Sequence, residues 1–107
     1  MLDKQVEAAL NAQIEMEAQS SHFYLAMATW AETNGLNGTS AFLYRHSDEE
    51  REHMLKLVHF VNERGGTARI PALNAPATEF AGLKGIFTTL LEHETKVTAS
   101  INELVDL

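Results

Sequence analysis

The chain contains no cysteine, which excludes a disulfide framework, a thiolate zinc or iron–sulfur site and a thiol nucleophile. Basic residues are scarce: eight Lys and Arg stand against fifteen Asp and Glu, a formal net charge of −7. That balance argues against a nucleic-acid-binding surface, because affinity for phosphate chains comes mainly from cations. No apolar run approaches the ~20 residues that a membrane helix needs, so no membrane partner is expected. The opening Met1-Leu2-Asp3-Lys4 lacks the apolar stretch of a secretory signal, and the expected compartment is the cytoplasm. The only prolines, Pro71 and Pro76, stand close together and leave the rest of the chain free to be helical. What remains is an ordinary globular mixture, 45% hydrophobic and 21% charged over 107 residues, enough for one domain spanning 1–107.

From Asp3 to Asn34 there is neither Gly nor Pro, and Ala, Glu, Gln, Leu and Met are abundant, all good helix formers. Asp3 can cap this helix and Gly35 can end it with a left-handed residue. At about 1.5 Å per residue the rod is roughly 46 Å long. A second Gly- and Pro-free stretch runs from Thr39 to Arg64 and is closed by Gly65-Gly66. Residues 67–78 carry both prolines and no helical period, so they read as a connecting loop. A third helix is expected from about Phe80 to the end, with Gly82 and Gly85 weakening its first turns.

Apolar or small residues recur at spacings of three and four on each helix. The stripes are Leu10, Gln13, Glu17, Ser20, Tyr24, Met27 and Ala31; then Phe42, His46, Glu50, His53, Leu57 and Phe60; then Leu83, Phe87, Leu90, Glu94, Val97, Ile101 and Leu104. Such stripes are the seams of antiparallel bundle helices. The third is still running at Leu107 without a stop signal. The expected fold class is therefore all-α, an antiparallel four-helix bundle of which these residues supply two helices and most of a third.

Each stripe is interrupted near its middle by one carboxylate: Glu17, Glu50 and Glu94. A buried carboxylate must protonate, pair or bind metal, and no Lys or Arg lies on any stripe. Instead His53 follows Glu50 by three residues on the same face. Glu-x-x-His on one bundle helix, facing single glutamates from its neighbours, is an arrangement that holds two iron or manganese ions, and carboxylates with imidazole suit iron. His46 reads as a supporting residue rather than a ligand, and His22, His59 and His93 fall off the stripes and read as solvated. Tyr24, two turns from Glu17, reads by default as a packing tyrosine with its hydroxyl bonded. Of the acidic run Asp48-Glu49-Glu50 with Glu52, Glu49 could reach iron beside the main site.

With these residues assembled, the chain resembles the ferritins, specifically the bacterial non-haem type. The likeness rests on Glu17 and Tyr24, on His46 with Glu49-Glu50-Arg51-Glu52-His53, on Glu92-His93-Glu94, and on the proline loop as the long connection that crosses the bundle. It implies a ferritin-like fold and a di-iron centre using Fe²⁺/Fe³⁺, with Glu17, Glu50 and His53 on the first iron. It further implies that Glu50 bridges to a second iron held also by Glu94, that Tyr24 orients a ligand or supplies an electron, and that Glu49 helps form a third, weaker site. Haem is not expected, because Arg51 stands where haem-binding relatives carry methionine. The activity implied is iron storage with oxidation of Fe²⁺ by O₂ or H₂O₂, in a hollow 24-subunit shell. The family's fourth and fifth helices are not in these residues, and the open seam leads us to expect a dimer or helix-swapped oligomer of this chain. A rubrerythrin-like peroxidase and a non-catalytic helical scaffold are the competing classes.

Overall fold

The computed structural model describes residues 2–105 and contains three α-helices, α1 (Lys4–Thr33), α2 (Asn37–Glu63) and α3 (Gly82–Val105), with no strand among the described residues. The Asp3 carboxylate accepts from the backbone N–H groups of Gln5 at 2.8 Å and Val6 at 3.3 Å, satisfying donors that the first turn leaves free. Gly35, at φ +76°, turns the chain out of α1, and the Leu36 amide returns to the Ala31 carbonyl at 2.9 Å. α2 starts at Asn37, two residues before the start read from the sequence. The Leu36 carbonyl accepts from the Ser40 amide at 2.8 Å, so Gly38 is drawn into the first turn.

The segment between α2 and α3 runs back along α1 and is fastened to it by side-chain amides. Asn11 donates to the Thr67 carbonyl at 3.1 Å and accepts from the Arg69 amide at 2.7 Å. Two turns further on, Gln19 accepts from the Asn74 amide at 3.3 Å. Phe80 then lies against Phe23 and Trp30, with ring centroids 6.4 and 6.0 Å away. The proline loop therefore carries the chain from one end of α1 to the other, and α3 starts beside the end of α1. Consequently α3 is antiparallel to α1 and parallel to α2, in a body of 50 × 21 × 21 Å.

α1 packs against both other helices, and α2 and α3 do not pack backbone to backbone. All seven residues of the α1 stripe are accordingly buried. The outer helices differ from their expected stripes. α2 turns Ser40, Leu43, Ser47, Glu50 and Val61 inward, while Phe42 and Phe60 remain 39% and 38% exposed. On α3, Ile86 and Val97 are buried, and Leu83, Phe87 and Ile101 are exposed. A helix with one neighbour covers only one edge of its apolar face, and the stripe follows the middle of that face. The uncovered edges of α2 and α3 border a cleft whose floor is α1. One apolar cluster, around Tyr24, Met27, Leu43 and Ile86, closes the bundle at one end, and another, around Leu10, Ile14 and Val61, closes the opposite end. No described helix is long and apolar enough to cross a membrane.

Candidate metal centre

Between the two apolar clusters lies a polar layer: Gln13, Glu17, Ser20, Ser47 and Glu50 are all buried. Small side chains bring the helices together here. Ser21 Oγ donates to the Ser47 carbonyl at 2.8 Å, and Ser47 Oγ donates to the Ser21 carbonyl at 2.7 Å. Ser21 is one turn beyond Glu17 and Ser47 one turn before Glu50 (i±3 and i±4 neighbours share a helix face). This reciprocal clasp sets the two carboxylates against each other.

Glu50 is the centre of the arrangement. Its Oε1 lies 3.8 Å from His46 Nε2 and its Oε2 lies 3.9 Å from His53 Nδ1. Two groups of three donors have ligand atoms within 4.8 Å of one another: Glu17, Glu50 and His53, and His46, Glu50 and Glu94. Glu50 belongs to both. Across the cleft, Glu94 Oε1 is 3.3 Å from His46 Nε2 and accepts a hydrogen bond from the Tyr24 hydroxyl. Behind Glu17, Gln13 Nε2 donates to Oε1 at 3.0 Å, and Ser100 Oγ of α3 donates to Gln13 Oε1 at 2.7 Å.

The remaining oxygens of the two deepest carboxylates, Glu17 Oε2 and Glu50 Oε2, are buried without a hydrogen-bond partner. Among the described residues the ion pairs near the site involve only His46 and His53, never Lys or Arg. The Glu50 carboxyl is pushed up to about 8, first by burial, then by the Glu17 carboxylate beside it, with Glu94 and Glu49 adding to it. Burial and the Glu94 hydrogen bond likewise push the Tyr24 hydroxyl well above the ordinary tyrosine range. Orphaned carboxylate oxygens and imidazoles around a common space are the donor set of a divalent transition metal, and a cation there would satisfy the oxygens that no protein group reaches.

The candidate residues from the sequence are distributed as follows. Glu17, Glu50 and His53 share one group, Glu94 stands in the other, and Tyr24 lies beneath Glu94. Glu49 is exposed on α2 and outside both groups. His46, read as supporting, comes within ligand distance of Glu50 and Glu94; its place on the stripe, one turn before Glu50, was the available signal. His93, read as solvated, is instead half-buried, with Nε2 2.5 Å from Ser20 Oγ and its ring edge-on to Phe23 at 5.1 Å. Burial lowers its pKa. The cause is the rotation of α3, which turns the Ile86–His93–Val97 edge toward α1. His22 and His59 are exposed.

A family profile described as "Ferritin: Ferritin-like domain" matches residues 7–107. The chain is 45% identical over 105 residues to a probable bacterial non-heme ferritin-like protein of Haemophilus influenzae, covering 98% of this chain and 64% of that protein. It is 38% identical over 106 residues to the bacterial non-heme ferritin of Campylobacter jejuni, covering 99% of this chain and 64% of that one. Among solved structures, Chlorobium tepidum ferritin superposes with a TM-score of 0.95 at 40% identity, over 99% of this chain and 65% of that chain. An open pore ferritin from Archaeoglobus fulgidus gives a TM-score of 0.94 at 36% identity, again over 99% and 65%. The chain thus spans slightly less than two thirds of the length of these relatives.

Proposed function

Because the chain belongs to the ferritin-like family, we propose that it is an iron-storage protein that takes Fe²⁺ as substrate and oxidises it to Fe³⁺ for deposition as mineral. Glu50 carries this reading: one buried carboxylate is common to two donor groups, as a pair of neighbouring cations requires. In this reading Glu17, Glu50 and His53 hold one Fe²⁺, and Glu50 and Glu94 hold the other. The two Fe²⁺ give one electron each, which with two protons reduce dioxygen to hydrogen peroxide, or hydrogen peroxide to two waters. Anionic oxygen donors stabilise the higher charge of Fe³⁺ and so favour the oxidation. The Tyr24 hydroxyl fixes Glu94 by donating to it, and Glu50 gives up its proton as metal enters. Exposed Glu49, next to Glu50, is proposed to line a third, weaker site on the way out of the centre. Copies of the chain are proposed to associate, since the cleft edges at Phe42, Phe60, Leu83 and Phe87 present apolar surface to water.

The test is aerobic addition of Fe²⁺ to the purified chain while the ultraviolet rise of ferric species is followed. Rapid oxidation is expected. It should be abolished in Glu50→Ala, reduced far less in Glu49→Ala, and unchanged in His59→Ala. Oxidation by the unmodified chain no faster than in buffer, or equal rates in Glu50→Ala and Glu49→Ala, would overturn the assignment.

A further inference from the structure

We propose that His93 is a positioning residue for Glu94: its hydrogen bond to buried Ser20 fixes α3 against α1 at the turn that carries Glu94. This rests on the preceding reading that the centre takes a pair of cations, a first held by Glu17, Glu50 and His53 and a second by Glu50 and Glu94. Glu94 is held less by its surroundings than Glu50 is. Its side chain is 41% exposed, against 10% for Glu50, and it stands on a helix that packs backbone to backbone only against α1. α3 buries two apolar side chains, Ile86 and Val97, eight residues before Glu94 and three after it. Apolar contact carries no direction, so the placing of Glu94 falls to directional bonds.

Among the described residues, three side-chain hydrogen bonds join α1 to α3: Ser20 with His93 at 2.5 Å, Gln13 with Ser100 at 2.7 Å, and Tyr24 with Glu94. Ser20 and Tyr24 lie one turn apart on α1, and they take two consecutive residues of α3. The Ser20 hydroxyl is fully buried. A buried hydroxyl needs a partner, and His93 supplies it. The imidazole is confined on other sides as well, edge-on to Phe23 at 5.1 Å and to Tyr24 at 5.9 Å. A cation site tolerates only about 0.2 Å in its donor distances, and any slip of α3 along α1 moves Glu94 by the same amount. The Gln13–Ser100 bond lies seven residues away along both helices and ends on the amide behind Glu17. The two supports are thus divided: Gln13 serves the first ion and His93 the second.

The experiment is anaerobic calorimetric titration of the full chain with Co²⁺, with thermal unfolding of each metal-free variant measured beside it. Two Co²⁺ ions per chain are expected. Ser20→Ala, and His93→Phe, which keeps a ring against Phe23, should each bind the second ion about 10-fold more weakly or worse. The affinity of the first ion should not change. His93→Gln, whose amide can again bond Ser20, should recover most of the loss. The double variant Ser20→Ala/His93→Phe should bind the second ion no more weakly than the weaker single variant, because both changes remove the same bond. A lowered thermal midpoint with both ions bound as before, or equal weakening of both ions, would make His93 a packing residue. Either result, or additive losses in the double variant, would overturn the proposal while leaving the paired-cation reading intact. A single Co²⁺ in the unmodified chain, or none, would instead overturn that reading and the proposal with it.

Discussion

Gln13 Nε2 donates to Glu17 Oε1 at 3.0 Å, and the other oxygen of that carboxylate is buried with no partner at all. The amide thus holds the glutamate from behind and leaves Oε2 turned to the space shared with Glu50 and His53. Ser100 Oγ, donating to Gln13 Oε1 at 2.7 Å, fixes the amide orientation and ties α3 to the same point. Groups that orient a ligand typically contribute 10–100-fold to metal affinity. We predict that Gln13→Leu weakens binding of the first ion by about 10-fold without affecting the second, as read by calorimetric titration. Equal weakening of both ions would mean that Gln13 supports the bundle rather than Glu17.

The raised carboxyl of Glu50 makes the metal-free chain sensitive to pH. Its folded value of about 8 lies above the ordinary 4.5, so between these values the folded chain holds a proton that the unfolded chain has released. Stability from this group is complete below about pH 4.5 and is lost as pH rises toward about 8. Glu50→Gln removes the ionisation. At about pH 8 the metal-free variant is expected to exceed the unmodified chain by about 1–3 kcal/mol, and the difference should shrink toward about pH 5. Denaturant unfolding at a series of pH values measures this. A difference that stays constant with pH would show that Glu50 is ionised like an exposed glutamate.

Tyr24 combines two roles that a single substitution separates. Its ring is fully buried in the cluster with Met27, Leu43 and Ile86, and its hydroxyl donates to Glu94 on α3. Tyr24→Phe keeps the ring and removes the donor. A hydrogen bond to a charged group contributes about 1.5–3 kcal/mol, so we expect a loss of roughly 1–2 kcal/mol in metal-free stability and slower Fe²⁺ oxidation. Unchanged values of both would show that Glu94 is held by other contacts.

Gly66 marks the place where the loop leaves α2 and meets the start of α1. A Cβ there would stand 2.7 Å from Glu7 Oε2, 3.0 Å from Val61 Cγ1 and 3.2 Å from Leu2 Cδ2. Glu7 could swing away only by giving up its bond to the Thr67 amide at 3.2 Å, and Val61 is fully buried. Gly66→Ala is expected to cost about 1–2 kcal/mol through overpacking, seen as a lower thermal midpoint with metal titration unchanged. A neutral or raised midpoint would mean that the junction has room.

Local features of the sequence determined the three helices and the ends of α1, while α2 and α3 start two residues away from the expected Thr39 and Phe80. Asp3 caps and Gly35 terminates α1 because a carboxylate accepting first-turn amides and a residue tolerant of positive φ act within a few residues of themselves. The α1 stripe from Leu10 to Ala31 is buried throughout, since a helix with neighbours on both sides covers its whole apolar face. The absence of any basic residue along the stripes with Glu17, Glu50 and Glu94 was equally readable, because spacing along one helix fixes which side chains share a face. Tertiary structure alone decided the rest. Phe42 and Phe60 face the cleft while Leu43 and Val61 face α1, and His93 turns inward, because the rotation of an outer helix depends on how many neighbours it has. His46 meets Glu94 only because the loop returns α3 alongside α1, and Glu17 meets Glu50 only because Ser21 and Ser47 let two backbones approach. Spacing within a helix carries no information about the distance between helices, and that distance determines which atoms can share a metal ion.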